Sequence, residues 1–147
     1  MKITLCGSIA FIDEMLKVKK ELEARGHIVK MPPTEIKDHN GKTVSVKTFY
    51  DIRKNEKDSE SGVWGIMSEN MRKHFAKVEE SDAILVVNHD KNNIAGYIGA
   101  NTLIEMGLAY YLRKKIFLLN DIPEISYKEE ILGVKPQVIH GNFDKIR

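Results

Sequence analysis

The chain has 147 residues, of which 42% are hydrophobic and 30% are charged, and this composition is ordinary for one globular domain with its own core. Its net charge is +2 with both signs interspersed, which gives no reason to expect a nucleic-acid or membrane partner. The single cysteine, Cys6, excludes an intrachain disulfide and a cysteine-based metal cluster, and the lack of a leader segment or a long apolar stretch predicts a cytoplasmic protein.

The first part of the chain predicts a β–α–β unit. Ile3–Cys6 is a short apolar strand that Gly7-Ser8 ends, and a helix follows from about Ile9 to Arg25. The apolar residues of this helix recur at the spacing of one buried face. His27–Met31 is the second strand. Strand, helix and strand at these spacings favour a parallel sheet.

Residues 32–62 are the least regular part of the sequence. They contain the turn signal Asn40-Gly41 and a polar cluster from Asn55 to Gly62. A short helix is expected at about Val46–Lys54. Because the insertion is long and polar, we expect a lid or an assembly arm there and no contribution to the core.

The second half of the chain alternates helices and buried strands. Val63–Glu80 has helical periodicity, and His74 falls on the exposed-to-intermediate side of that helix. Ala83–Val87 is a continuous apolar run typical of a strand that is buried on both faces. The remaining predicted elements are a helix at about Asn101–Leu112, a strand at Lys115–Leu119, a short helix at Ser126–Leu132 and a strand at Gln137–Ile139.

Taken in order, these elements predict an α/β fold. It is a doubly wound, open parallel sheet of about five strands with helices on both faces, similar to the Rossmann arrangement, in a single domain over residues 1–147. In such a sheet, ligands bind beyond the carboxyl ends of the strands, near the point where the strand order reverses.

The loop after the first strand is the first candidate for a ligand contact. Gly7 permits a tight turn, and Ser8 and Ile9 open a helix whose free N–H groups favour an anion. Ser8 is also explained as an ordinary helix N-cap, and the two roles are compatible.

The second candidate loop runs from Gly96 to Thr102 and leads into Glu105, which we place in the first turn of its helix. Glu105 shares a helical face with Leu108 and Leu112, so its carboxylate leans toward apolar surroundings, where burial raises the pKa of a carboxyl group. Alternatively, Thr102 and Glu105 form a Ser/Thr-x-x-Glu capping box, in which Glu105 only satisfies a backbone N–H group. The pattern leaves both interpretations open.

Several segments resemble known enzymes of nucleotides. The opening segment Thr4–Ile9 resembles the first loop of the 2′-deoxynucleoside 5′-monophosphate N-glycosidases. Together with that segment, four others cover most of the chain outside residues 32–62 and are similar to the nucleoside 2-deoxyribosyltransferase superfamily: Ser81–Asn88, Gly99–Thr102, Glu105–Ala109 with its Glu-x-Gly-x-Ala motif, and Lys114–Ile116.

This resemblance implies an enzyme that acts on an N-glycosidic bond. Glu105 matches the glutamate that attacks the anomeric carbon of the sugar in that family. Gly7, Ser8 and Ile9 match the loop that helps to hold the phosphate. The expected substrate is a nucleoside or a nucleoside 5′-monophosphate, with no metal and no organic cofactor. Further expected pocket residues are Asn88, Tyr97, Gly99 and Asn101.

The helper residues that are usual in the family are absent here. Thr4 stands where a tyrosine is usual, His74 falls near the place of an aspartate, and the Gly99–Asn101 region replaces another aspartate. His74 is therefore a candidate substitute for the missing acid. Two alternatives stay open: a nucleotide-binding sensor module without turnover, and a phosphoribohydrolase of the lysine-decarboxylase-like group, whose fuller Pro-Gly-Gly-x-Gly-Thr loop this chain lacks.

We also expect a homodimer, since members of the family complete their sites across a subunit interface. The expected contact involves the helices at Val63–Glu80 and Asn101–Leu112, because their apolar residues exceed what one core face needs. These residues are Met67, Met71, Met106, Tyr110 and Tyr111.

Overall fold

The structure is a computed structural model that describes residues 1–147. In chain order its elements are β1 (Lys2–Cys6), α1 (Ile12–Ala24), β2 (Ile28–Lys30), β3 (Glu35–Lys37), β4 (Thr43–Ser45), α2 (Val46–Asn55), α3 (Val63–Glu79), β5 (Ala83–Val86), α4 (Ala100–Tyr111), β6 (Lys115–Leu118), α5 (Lys128–Gly133) and β7 (Gln137–Val138). Short 3-10 helices precede α1 at Ile9–Phe11 and follow β7 at Phe143–Lys145.

Five of the strands form one sheet in the order β2-β1-β5-β6-β7, and all neighbours are parallel. The strand order reverses between β1 and β5, where Cys6 pairs with Val86. The carboxyl ends of β1 and β5 therefore open the crevice in which such sheets bind ligands. The α/β class and the five-stranded sheet predicted from the sequence are confirmed.

The core lies on both faces of this sheet because side chains alternate along β1. Ile3 and Leu5 point into a cluster with α1, in which Met15 and Leu22 have no exposed surface. Cys6 points to the other face, into a cluster that includes Met106 of α4. Helices thus cover both faces, and none of them combines the length and apolar character needed to cross a bilayer.

Residues 32–62 are more regular than the sequence predicted. β3 and β4 form an antiparallel hairpin, and α2 follows directly, which confirms the expected short helix. Val46 and Phe49 of α2 are buried, and Val46 belongs to the core, so the expectation that this segment adds nothing to the core was wrong. A lid or assembly role for it stays a prediction.

Two predictions about helical faces were also wrong. His74 is buried, not exposed to intermediate, because the face of α3 that carries it packs toward α4. Met106 has no exposed surface and is a core residue, so it is unavailable for a subunit contact.

Candidate functional site

A cavity of about 1000 Å³ opens beside the carboxyl end of β1. The loop after β1, helices α2 and α3 and the start of α4 all contribute to its wall. Eight of the nine residues predicted for the site line this one cavity: Gly7, Ser8, Ile9, His74, Tyr97, Gly99, Asn101 and Glu105. Loops and helices far apart in the sequence are thus brought together.

Asn88 does not line this cavity and holds the neighbouring loops instead. It is fully buried, and its Nδ2 donates to the carbonyl oxygens of Gly96, Asn120 and Asp121 at 3.0–3.2 Å. Its Oδ1 accepts a hydrogen bond from the backbone N–H of Asn120. Because its amide is fully used within the protein, the predicted contact of Asn88 with a substrate is wrong, and its role is structural.

Position 7 requires glycine because the backbone at Val87 and the side chain of Met15 approach it closely. Its φ is +153°, and a Cβ atom placed there would lie 2.9 Å from the Val87 carbonyl oxygen and 2.9 Å from Met15 Cε. Both contacts are shorter than side chains tolerate, so only glycine fits without a shift. The turn therefore leaves the following Ser8 at the cavity wall.

Ser8 is the N-cap of the short 3-10 helix that precedes α1, as the sequence predicted, and its Oγ accepts a hydrogen bond from the Ala10 N–H group at 3.3 Å. The same Oγ receives a second hydrogen bond from Lys91 Nζ at 2.9 Å. A lysine ammonium group beside a serine hydroxyl at the wall of a cavity is suited to hold an anion.

Tyr50 of α2 is a further contact of the Lys91 ammonium group. Lys91 Nζ donates to the Tyr50 hydroxyl at 2.7 Å and lies 4.8 Å and 5.2 Å from the ring centroids of Tyr50 and Tyr97. Burial raises the pKa of Tyr50, but the hydrogen bond and charge of Lys91, with Lys54 and Arg53, lower it overall. The lysine is thus held in one place by a hydroxyl on each side and by two aromatic rings.

Three buried side chains meet where the cavity wall contacts the sheet. They are Cys6 at the end of β1, His74 of α3 and Glu105 of α4, with relative exposures of 0%, 7% and 5%. Cys6 Sγ is 3.5 Å from His74 Nε2, and this nitrogen is 3.7 Å from Glu105 Oε1. Two polar atoms of the group, His74 Nδ1 and Glu105 Oε2, are buried without a hydrogen-bond partner.

Burial makes all three side chains uncharged at neutral pH. Loss of solvation raises the pKa of Glu105 from 4.5 to about 8 and lowers the pKa of His74 from 6.5 to about 4, with a smaller effect of the Lys77 charge on His74. Burial, reinforced by Glu105, also raises the pKa of the Cys6 thiol well above 9.0. The contact between His74 and Glu105 is therefore not an ion pair.

The capping-box interpretation of Glu105 is wrong. Helix α4 begins at Ala100 after Gly99, which takes the N-cap position without a side-chain hydrogen bond. Thr102 is therefore already inside the helix, and Glu105 lies in its second turn, beyond the backbone N–H groups that a capping side chain reaches. The carboxyl group faces His74 and the cavity instead.

Sequence reasoning missed the positive charge of the cavity. Six lysine or arginine side chains line it against four glutamates. Tyr50 and Arg53 lie in the segment that we had treated as an irregular insertion, and Lys91 lies in a polar loop without a recognisable motif. For Tyr50 and Arg53, the helical periodicity of α2 was the one signal in the sequence that they could share a face of a helix.

No protein-family profile and no curated protein matches the chain. Among solved structures, the 2-deoxyribosyltransferase of the psychrotolerant bacterium Bacillus psychrosaccharolyticus is 18% identical, with a TM-score of 0.49 over 80% of this chain and 71% of that one. The CMP N-glycosidase of Clostridium botulinum is 17% identical, with a TM-score of 0.48 over 94% of this chain and 85% of that one.

At such low identities the likeness does not say which residues act, so the function of this chain must be judged from its own side chains.

Proposed function

We propose that the chain is an enzyme that breaks the N-glycosidic bond of a nucleoside or a nucleoside 5′-monophosphate. The observation that supports this most directly is the position of Glu105, whose buried carboxyl group lies in the wall of the same cavity as Ser8 and Lys91. A cavity of about 1000 Å³ is large enough for a nucleotide. One cavity thus combines a group that can attack a sugar with a group that can hold a phosphate.

In the proposed reaction a carboxylate oxygen of Glu105 forms a bond to C1′ of the sugar while the C1′–N bond breaks. The electron pair leaves with the base, which takes up a proton from water, and a second water molecule then cleaves the glycosyl ester. Since burial raises the pKa of Glu105 to about 8, the reactive carboxylate becomes the major form of the free enzyme only above that pH.

His74 acts here as a positioning residue. Its Nε2 lies 3.7 Å from Glu105 Oε1 and 3.5 Å from Cys6 Sγ, so the ring limits where the carboxyl group can move. Because burial lowers the pKa of His74 to about 4, the imidazole is neutral at physiological pH. It is therefore a poor proton donor, and we do not assign it the role of the missing acid.

The substrate's phosphate, where present, binds at Ser8 and Lys91. Both side chains line the cavity and carry polar hydrogens that can donate to a phosphate. The rings of Tyr50 and Tyr97 lie beside Lys91 in the same wall. A base is expected to stack on Tyr97 and not on Tyr50, because aromatic faces accept any base, whereas three cationic side chains already lie over the Tyr50 ring. Gly7 and Gly99 keep the adjoining wall free of side chains.

The test is incubation with a panel of nucleosides and 5′-monophosphates, with free base measured by chromatography. Glu105→Gln should reduce base release by roughly 100-fold or more, since an amide oxygen cannot act as the nucleophile. Glu69→Gln is the matched control, because Glu69 lines the same cavity with its side chain 62% exposed. Full turnover by Glu105→Gln would contradict the proposal.

A nucleotide-binding module without turnover is the second candidate function. It is favoured by the uncharged state of Glu105 at neutral pH, because a protonated carboxyl group is not the nucleophile that the proposed reaction needs. Calorimetric binding of a 5′-monophosphate without any release of base over hours would support this candidate. Release of base that depends on Glu105 would exclude it.

A further inference from the structure

We propose that Cys6, His74 and Glu105 form a binding site for one transition-metal ion, with Zn²⁺ as the expected ion. The three residues come from three different elements, β1, α3 and α4, and their ligand atoms all lie within 4.8 Å of one another. A thiol, an imidazole and a carboxyl group are the three donor types that bind zinc in proteins. This proposal does not depend on the proposed function.

Two of the three separations in the cluster are close to those around one zinc ion, and all three ligand atoms lie within 4.8 Å of one another. Zinc bonds of about 2.0–2.3 Å in a tetrahedral arrangement hold two ligand atoms roughly 3.3–3.6 Å apart. Cys6 Sγ and His74 Nε2 are 3.5 Å apart, and His74 Nε2 and Glu105 Oε1 are 3.7 Å apart. The 3.7 Å between His74 Nε2 and Glu105 Oε1 is also longer than a good hydrogen bond between nitrogen and oxygen, so hydrogen bonding alone does not account for this contact.

The cluster contains polar atoms that the protein itself leaves unsatisfied. Glu105 Oε2 and His74 Nδ1 have no hydrogen-bond partner, although both residues are more than nine-tenths buried. Such atoms are unusual in folded proteins and call for a ligand or a functional reason. A metal ion held by both oxygens of the carboxylate would supply the missing partner of Glu105 Oε2, whereas His74 Nδ1 would keep none.

The charges also favour a divalent cation. Binding releases the protons of the Cys6 thiol and the Glu105 carboxyl group to solvent, so one Zn²⁺ ion, one thiolate and one carboxylate together carry no net charge. A neutral cluster avoids the cost of a buried unpaired charge. His74 and Glu105 line the cavity, so an ion can enter from it.

Occupation of this site would change the chemistry of the cavity. A carboxylate that coordinates a metal ion is no longer free to attack a sugar, so zinc should suppress any base release that depends on Glu105. Metal binding and base release are measured separately, and either of them can fail while the other holds.

The sharpest test uses the unmodified chain without a polyhistidine tag. Cys6 is the only cysteine of the chain, so a sulfur-to-cobalt charge-transfer band on addition of Co²⁺ to reduced, metal-free protein identifies Cys6 as a ligand without any variant. We expect this band at one Co²⁺ per chain and its loss on addition of one equivalent of Zn²⁺. The absence of the band at micromolar protein and metal would overturn the proposal.

Variants test the other two ligands. Glu105→Gln and His74→Gln should weaken zinc affinity by more than the roughly 10–100-fold that loss of an outer-sphere partner costs. His140→Gln is the control, because His140 and Asp121 form an exposed pair that could bind metal weakly at the surface. Unchanged affinity in the first two variants, or loss in the control alone, would place the ion elsewhere and refute the site. Circular dichroism verifies that each variant is folded, and should a variant fail to fold, the cobalt band of the unmodified chain decides alone.

Discussion

At the scale of single residues, the burial of Glu105 makes the free energy of unfolding depend on pH. Burial raises its pKa from 4.5 to about 8, so between these values the folded chain binds more protons than the unfolded chain, and the free energy of unfolding falls as the pH rises. The lowered pKa of His74, from 6.5 to about 4, acts in the opposite direction below pH 6.5. Of these two groups, only Glu105 still changes the free energy of unfolding between pH 6.5 and about 8.

We therefore predict that the metal-free protein loses stability between pH 6.5 and about 8, and that Glu105→Gln removes most of this loss. The slope should reach at most about 1.4 kcal/mol per pH unit for one proton. Chemical denaturation in the presence of a chelator measures it. Glu124→Gln is the control, because the Glu124 side chain is 85% exposed. A slope that is the same in Glu105→Gln as in the parent chain would contradict the burial of an ionisable carboxyl group.

Lys91 gives a second prediction at this scale. Lys91→Met keeps the apolar stem against Tyr50 and Tyr97 but removes the charge beside Ser8. A charge-assisted hydrogen bond contributes about 1.5–3 kcal/mol, so binding of a 5′-monophosphate should weaken by roughly 10–100-fold, while binding of the nucleoside changes little. Isothermal calorimetry compares the two ligands.

The control for Lys91 is Lys73→Met. Lys73 also lines the cavity, but its side chain is 67% exposed and pairs with Glu69 at 3.0 Å. Exposed pairs of this kind contribute little. An equal loss of affinity for nucleoside and monophosphate in Lys91→Met would mean that the phosphate binds elsewhere.

At the scale of elements, the loop between β5 and α4 depends on one glycine. Gly96 has a φ of +65°, and a Cβ atom there would lie 2.5 Å from the Asp121 carbonyl oxygen. We predict that Gly96→Ala destabilises the protein by about 1–3 kcal/mol, since strain and a backbone clash coincide. Gly65→Ala in α3 meets nothing within 4 Å and should stabilise it by up to about 1 kcal/mol. Thermal melts of both variants decide whether this loop is as constrained as its geometry indicates.

Strands and helices were largely predictable because their signals are local. The apolar run at Ala83–Val86 has no polar alternation, which identifies a strand covered on both faces, and β5 occupies the centre of the sheet. Segment 32–62 was harder, because three-residue strands such as β3 carry too little pattern to be recognised. The burial of Val46 depends on contacts with the core that no local window contains.

The candidate site was predictable residue by residue but not as an arrangement. Glycines and a serine after a strand indicated the first loop, and a glutamate on an apolar helical face indicated Glu105. Nothing local joined Cys6 to His74, because 68 positions separate them and the side that His74 faces depends on how α3 packs toward α4. The metal site that we propose from this cluster departs from the sequence-based expectation of no metal.

At the scale of the whole molecule, the outer face of α4 presents the apolar surface for a subunit contact. Ile104, Tyr110 and Tyr111 are exposed by 50%, 55% and 81%, whereas Met67 and Met71 line the cavity. We predict a homodimer through α4 that Tyr111→Lys dissociates, as measured by analytical ultracentrifugation. Leu132→Lys on α5, where the leucine is 49% exposed, should leave the dimer intact. Sedimentation of the parent chain as a monomer at micromolar concentration would contradict the prediction.

The complete burial of Cys6 has a practical consequence for how motions of this molecule can be followed. The thiol has no exposed surface and ends the strand that pairs with both β2 and β5. A small alkylating reagent can reach it only when the chain opens around β1, so the labelling rate measures how often the sheet opens at that strand, with one reactive sulfur per molecule. Because Cys6 is the only cysteine of the chain, every labelling event reports an opening at this position. A molecule that binds in the cavity and holds α3 and α4 against the sheet should therefore lower the labelling rate.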